Sequence, residues 1–284
     1  MGTYVVTGSA SGMGREVVTR LAAAGHRVIE VDVKEAEVTA DLGTAAGRRT
    51  AADEVLQRAG GVLDGAVMAA GIGPTRGREQ LIGEVNHLGV VALLEAWRPA
   101  LAAADRAKVV VFSSNSTTAT PLVPRRAVRA LLAGDPAKAA RAVRFFGKGA
   151  PSMAYAASKL AVSHWVRRTA VTPEWAGAGI RLNALAPGAI MTPLLEQQLA
   201  TPGQAKAIKG FPVPIGGYGD PGHLAEWTVF MLSEAADFLC GSVVFVDGGS
   251  DAWFRADDWP RPVSARRLPA YLRRMKEFAR SRAS

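Results

Sequence analysis

The sequence predicts an α/β fold: a doubly wound parallel sheet with helices on both faces. Short β-branched runs alternate with amphipathic stretches of helical period. A glycine-rich turn joins the first run to the first such stretch. Several later strands are apolar along their whole length, as strands covered on both faces must be. With 284 residues, 49% of them hydrophobic, the chain can bury the core of one large domain.

In chain order, TYVVTG (3–8) reads as the first strand, and Met13 to Ala24, closed by Gly25, as the first helix. HRVIEVDV (26–33) is the second strand, and EVTADL holds a short third. Helical residues at 44–59 lead to LDGAVMAAG (63–71), a buried strand. A long helical segment over 79–104 precedes KVVVFSS (108–114). The next helix carries MAYAASKL (153–160) and runs to about Val171, where Thr172-Pro173 breaks it. IRLNALAPG (180–188), a helical region at 192–209, a helix near 221–234 and SVVFVDGG (242–249) complete the series.

Two segments depart from this alternation. In 124–147, Pro124 is placed to start one helix, Gly134 to end it, and Asp135-Pro136 to cap and start a second. This is a basic helical hairpin whose stripe of Val128, Leu131, Leu132, Val143 and Phe146 faces the domain. In the extension 251–284, Pro269 opens a helix with Leu268, Tyr271, Leu272, Met275 and Phe278 on one side and basic residues on the other. The net charge of +9 belongs to these segments: 125–148 carries seven bases and one acid, and 261–284 eight and one. The remainder is acidic and needs no nucleic acid to explain it. One cysteine, Cys240, precludes an internal disulfide and favours a reducing compartment. No basic and apolar leader precedes TYVVTG, and no apolar run reaches about 18 residues, so a cytoplasmic chain without a membrane span is expected.

The chemistry is carried by a few short stretches. In TGSASGMG (7–14), glycines 8, 12 and 14 let the backbone turn tightly against a pyrophosphate at the helix N-terminus. The second strand ends near Asp32, where a carboxylate can accept both ribose hydroxyls of an adenosine and repels a 2′-phosphate. Ser11 is neutral where a phosphate-binding cation would sit, and Lys34 is read as solvated. Tyr155 and Lys159 lie four apart, on one face of a helix. A solvated pair has the same spacing, so this motif is weak alone. No two histidines recur at metal-ligand spacing, and no metal is expected.

Together these motifs resemble the short-chain dehydrogenase/reductase family over roughly residues 3–250. The resemblance rests on TGSASGMG, Asp32, Asp41-Leu42, Asn86 in EVNHLG, Ser113-Ser114, Tyr155 and Lys159, Pro187-Gly188 with Thr192, and Asp247-Gly-Gly. The basic insert, AEVTADL, RLNALAPGA and DGGSDA are most similar to the bacterial 3α-hydroxysteroid dehydrogenase/carbonyl reductase group. MAAG (68–71) departs from the family's usual Asn-Asn-Ala-Gly, removing side-chain hydrogen bonds beside the cofactor. The resemblance implies a Rossmann-type domain over 1–250, with 191–219 as substrate lid, and transfer of a hydride between NAD and a secondary alcohol or ketone.

It also implies roles. Tyr155 exchanges the proton, its pKa lowered by Lys159 and by oxidised nicotinamide. Lys159 also holds the nicotinamide ribose, Ser114 (Ser113 competing) bonds the substrate oxygen, and Asn86 supports a water chain to Lys159. The implied cofactor contacts are Gly8, Ser11, Gly12, Met13, Gly14, Asp32, Asp41, Leu42, Ala70, Gly71, Pro187, Gly188, Ile190 and Thr192, with Tyr155 and Lys159. A non-catalytic dinucleotide-binding scaffold would be expected to lose Tyr, Lys or Ser, and all three are present.

Leu194, Leu195, Phe211, Val213 and Ile215 in the lid give an apolar substrate pocket. A hydroxysteroid or bulky apolar carbonyl compound is expected, with an aryl or coniferyl-type alcohol as the alternative. Relatives with a short connection before the tyrosine build tetramers through the helix that bears it. Here the hairpin occupies that region, so a homodimer is expected, with the tail helix docked against protein and a free tail binding an anionic surface as the alternative.

Overall fold

A computed structural model describes residues 1–260 and 262–281. Among the described residues the sheet has seven parallel strands: β1 (Thr3–Thr7), β2 (Arg27–Asp32), β3 (Val38–Thr39), β4 (Gly65–Met68), β5 (Lys108–Phe112), β6 (Arg181–Pro187) and β7 (Val243–Val246). Their order is β3-β2-β1-β4-β5-β6-β7. The chain therefore winds one way through β1 to β3 and the other way from β4 to β7. The reversal falls between β1 and β4, where Thr7 pairs with Met68 at the carboxyl ends. In such sheets the crevice outside that point receives ligand.

The first half holds α1 (Gly12–Ala23), α2 (Ala45–Ala59), α3 (Glu79–Gly83), α4 (Val90–Ala102) and the single turn α5 (Ser116–Ala119). Successive strand residues point to opposite faces. Val5, Ala66, Met68, Val109 and Val111 join one core, with Leu94 and Trp97 of α4. Val6, Val67 and Val110 join the other, with Val17 and Leu21 of α1. β4 and β5 are buried along their whole length, which accounts for their unbroken apolar sequence.

The expected long helix over 79–104 contains a π-helical turn at Glu84–Gly89 between α3 and α4. The hairpin region forms α6 (Arg125–Leu132) and α7 (Pro136–Val143). Gly134 ends α6 with φ +76°, and the Asp135 carboxylate accepts the Lys138 N–H at 2.8 Å to cap α7. Val128, Leu131 and Val143 pack with Ala154, Ala157 and Ala161 of α8 (Ala150–Thr169). The methyl-sized side chains at 154, 157 and 161 let the hairpin approach α8 closely, and it covers that face.

After β6 come two short helices in the segment expected as a lid, α9 (Pro193–Leu199) and α10 (Pro202–Lys209), and then α11 (Pro221–Leu232). Beyond β7 follow α12 (Ser250–Arg255) and α13 (Leu268–Ser281). No helix among the described residues is long and apolar enough to cross a membrane.

Candidate active site

At the reversal of the sheet, β1 runs into the glycine turn and α1. A Cβ on Gly14 would lie 2.1 Å from the Gly8 carbonyl oxygen, and one on Gly8 2.7 Å from the Ala70 nitrogen. Both positions admit only glycine, and Gly8 and Gly12 have φ of +70° and +54°. Ser11 stands at the N-cap of α1 without a side-chain cap, so the helix presents bare N–H groups. The turn borders a cavity of about 320 Å³ whose walls include Ser11, Met13, Asp32, Asp41, Leu42 and Gly71.

Asp32 is held in place from two sides. Its Oδ2 accepts the Ala10 N–H at 3.1 Å and its Oδ1 accepts the Lys34 N–H at 3.0 Å. Lys34 borders the same cavity. Asp41 turns the chain by accepting the Gly43 N–H at 2.8 Å, and Ala70 donates its N–H to the Thr7 hydroxyl at 3.2 Å. Bare helix N–H groups, side-chain-free backbone and an acid at the end of β2 fit a dinucleotide: diphosphate at the turn, adenosine ribose at Asp32.

A second cavity, of about 370 Å³, opens beside the first. Met13, Thr192 and Leu194 border both. Ser114, Tyr155, Pro187, Gly188 and Ile190 also line it, with Leu195 and Phe211 from the lid side. Thr192 caps α9, accepting the Leu195 N–H at 3.4 Å, and Gly188 is required because a Cβ there would lie 2.7 Å from Asp247 Cα.

The two adjacent serines after β5 point apart. Ser113 Oγ is buried 2.6 Å from Ser163 Oγ, whereas Ser114, whose Oγ accepts the Ser116 N–H at 3.1 Å, lines the second cavity with Tyr155. Lys159 Nζ lies 5.9 Å from the centre of the Tyr155 ring and donates to the Phe112 carbonyl at 2.8 Å. Burial holds the Lys159 pKa down to about 8. The chain's own residues do not produce the lowered phenol pKa expected for Tyr155. Burial raises it, and the nearby Ser114 hydroxyl opposes that only in part. At neutral pH the phenol holds its proton and Lys159 is charged.

Asn86 sits in the π-helical turn and is 1% exposed. Its Oδ1 accepts the Ile72 N–H at 2.8 Å. Its Nδ2 donates to the Ile72 carbonyl at 3.0 Å and to Ser158 Oγ at 3.3 Å. The amide is fully committed to pinning the strand end after β4. A Cβ on Gly71 would lie 3.3 Å from Asn86 Oδ1 and 3.6 Å from Lys159 Nζ, so both groups meet under that glycine.

Two lid residues depart from expectation. Val213 and Ile215 line a different groove of about 640 Å³ between α11 and β7, with Trp227 and Phe230. That groove lacks Ser114 and Tyr155, which line the smaller cavity. Sequence reasoning also missed Asn115 and Ser116, which line the Tyr155 cavity. Asn115 Nδ2 and Ser116 Oγ are buried without a hydrogen-bond partner among the described residues. The signal for them was the polar run SSNSTT following a wholly apolar strand.

The NAD dependent epimerase/dehydratase family model matches residues 4–188, and the Enoyl-(Acyl carrier protein) reductase model residues 139–251. The 3-alpha-hydroxysteroid dehydrogenase/carbonyl reductase of Comamonas testosteroni is 37% identical over 255 residues, spanning 90% of this chain and 98% of that protein. This chain belongs to the short-chain dehydrogenase/reductase family. It is an oxidoreductase on a dinucleotide-binding fold. Levodione reductase of Leifsonia aquatica is 33% identical over 87% of this chain and 93% of its own length. The crystal structure of the 3-alpha-hydroxysteroid dehydrogenase from Pseudomonas sp. B-0831 complexed with NADH superposes with a TM-score of 0.83. The two are 43% identical, covering 90% of this chain and 99% of that one.

Proposed function

We propose that this protein transfers a hydride between NAD(H) and a secondary alcohol or ketone, with a hydroxysteroid or similarly bulky apolar carbonyl compound as substrate. The observation that carries the reading is that Ser114 and Tyr155 line one cavity of about 370 Å³ that adjoins the glycine-turn crevice. A nicotinamide dinucleotide, when bound, supplies the hydride acceptor or donor. Ser114 holds the substrate oxygen, and the Tyr155 phenol gives it a proton in reduction or takes one in oxidation. Lys159 keeps a positive charge near that phenol and so favours the phenolate when the proton leaves. Asn86 acts through position, fixing the segment after β4 against the helix that bears Tyr155 and Lys159. Gly8, Gly12, Gly14, Ser11 and Met13 hold the diphosphate side. Asp32, Asp41 and Leu42 hold the adenosine, and Ala70, Gly71, Pro187, Gly188, Ile190 and Thr192 the nicotinamide side. Three residues between Tyr155 and Lys159 favour carbonyl over enoyl chemistry, since enoyl reductases space the pair further apart.

NAD is the cofactor in this reading, because Asp32 repels a 2′-phosphate in a partly dry site. The apolar lid wall of Leu195 and Phe211 supports the substrate class, as do the names of the relatives above. The reading extends to a homodimer in a reducing, cytoplasmic setting. With the α8 face covered by the hairpin, the groove at α11 remains, where Trp227 is 43% and Phe230 48% exposed. A panel of hydroxysteroids and aromatic alcohols, followed by formation of reduced nicotinamide with NAD and with NADP, tests the whole. Steroid turnover with NAD favoured at least about tenfold, some 1.4 kcal/mol, is expected. Turnover of aryl alcohols alone overturns the substrate class, and equal efficiency with NADP overturns the role of Asp32.

A further inference from the structure

The C-terminal helix α13 carries an apolar stripe that remains open. Leu268, Tyr271, Leu272 and Met275 are 49%, 47%, 48% and 56% exposed. At about 100° per residue they share one arc of roughly 100°, and Phe278 continues it. Arg274 and Lys276 stand on its two borders. The one acid of the helix, Glu277, lies opposite the stripe and pairs with Arg273 at 3.6 Å. Upstream, Trp253 and Trp259 are 68% and 62% exposed.

This arrangement distinguishes between partners. A helix that enters a protein groove places its bordering cations against acids at the rim. A helix that lies flat on an anionic bilayer puts its apolar arc at the acyl boundary. The bordering Lys and Arg then reach headgroup phosphates, and any acid faces water. Cations on both borders, the acid at the back and Tyr271 within the arc match the second case. The charge agrees: residues 261–284 carry eight bases and one acid. The relative from Comamonas testosteroni is matched over 98% of its length while a tenth of this chain stays unmatched, and the family model ends at residue 251. α13 begins beyond the end of that match.

We propose that α13 binds this protein reversibly to an anionic phospholipid surface, its apolar stripe in the acyl boundary and its flanking cations on the phosphates. An apolar substrate that partitions into bilayers would then be met where it is concentrated. The lipid contact itself is independent of the substrate reading.

The test is co-sedimentation of the full-length protein with vesicles of phosphatidylcholine alone and of equal parts phosphatidylcholine and phosphatidylglycerol. Binding at least about tenfold stronger to the anionic vesicles is expected, weakening as salt approaches about 1 M, where screening extends only a few ångströms. Leu272→Glu with Met275→Glu, and separately Arg274→Glu with Lys276→Glu, should each abolish binding while the assembly size and turnover stay unchanged. Equal binding to both vesicle types, or binding that survives both pairs of substitutions, overturns the proposal. So does a wild type that ignores vesicles but whose assembly shrinks when Leu272 and Met275 are replaced, which would assign the stripe to a second copy of this chain.

Discussion

The two cavities that meet at Met13 and Thr192 are built from different material. The dinucleotide side is walled by backbone: Gly8 and Gly14 admit no side chain, and two backbone N–H groups fix Asp32. Asn86 clamps both the N–H and the carbonyl of Ile72. The lid side is walled by side chains on two short helices, where Leu194 is 41% exposed and the cap from Thr192 spans 3.4 Å. A wall of backbone tolerates no change and serves one ligand. A wall of apolar side chains on short helices can be re-cut without disturbing the sheet.

The comparison predicts unequal sensitivity. Gly14→Ala should weaken NADH binding by at least about 100-fold, or roughly 2.7 kcal/mol, because its Cβ would lie 2.1 Å from the Gly8 carbonyl oxygen. A fluorescence titration reads this, and binding within threefold of wild type would break the contrast.

Behind the Tyr155 cavity, Lys159 donates to the Phe112 carbonyl, and its pKa falls from 10.5 to about 8 on burial. Between those values the unfolded chain binds the proton and the folded chain does not, so stability rises with pH in that window. Denaturant unfolding of wild type and Lys159→Met at pH 7 and 9.5 should show wild type gaining roughly 2 kcal/mol on the variant. A gap that does not move with pH would place the ammonium in water.

On the lid side, Leu195→Ala should raise KM for an apolar substrate about tenfold, leaving NADH affinity unchanged. Leu195 lines the Tyr155 cavity but not the dinucleotide cavity. A matching loss in both ligands would mean that the lid serves the cofactor as well.

The same contrast explains what could be read in advance. The glycine turn, the acid ending β2 and the apolar strands are consequences of backbone geometry, and geometry leaves spaced residues in a sequence. The family and the parallel sheet were legible for that reason. The π-helical turn at Glu84–Gly89 was not, because EVNHLG has ordinary helical composition and the extra residue per turn follows from packing. Neighbouring serines must face opposite ways, yet only the fold turns Ser113 to Ser163 and Ser114 to Tyr155. Val213 and Ile215 lie in a connection without periodicity, so nothing local tells which cavity they line. The Tyr155–Lys159 spacing implied proximity but not burial, and burial decides the direction of the phenol pKa. The tail showed a helix and a stripe without what lies against it.

In the proposed reaction Tyr155 moves the proton while the glycine-turn crevice holds the dinucleotide. Turnover of an apolar hydroxysteroid with NAD, measured for wild type and Tyr155→Phe alongside NADH affinity, tests it most directly. Removing the phenol hydroxyl that faces the substrate cavity should lower turnover by about a thousandfold or more and leave NADH binding intact. Retention of more than about a tenth of wild-type turnover would contradict the account, because the proton would then have another carrier.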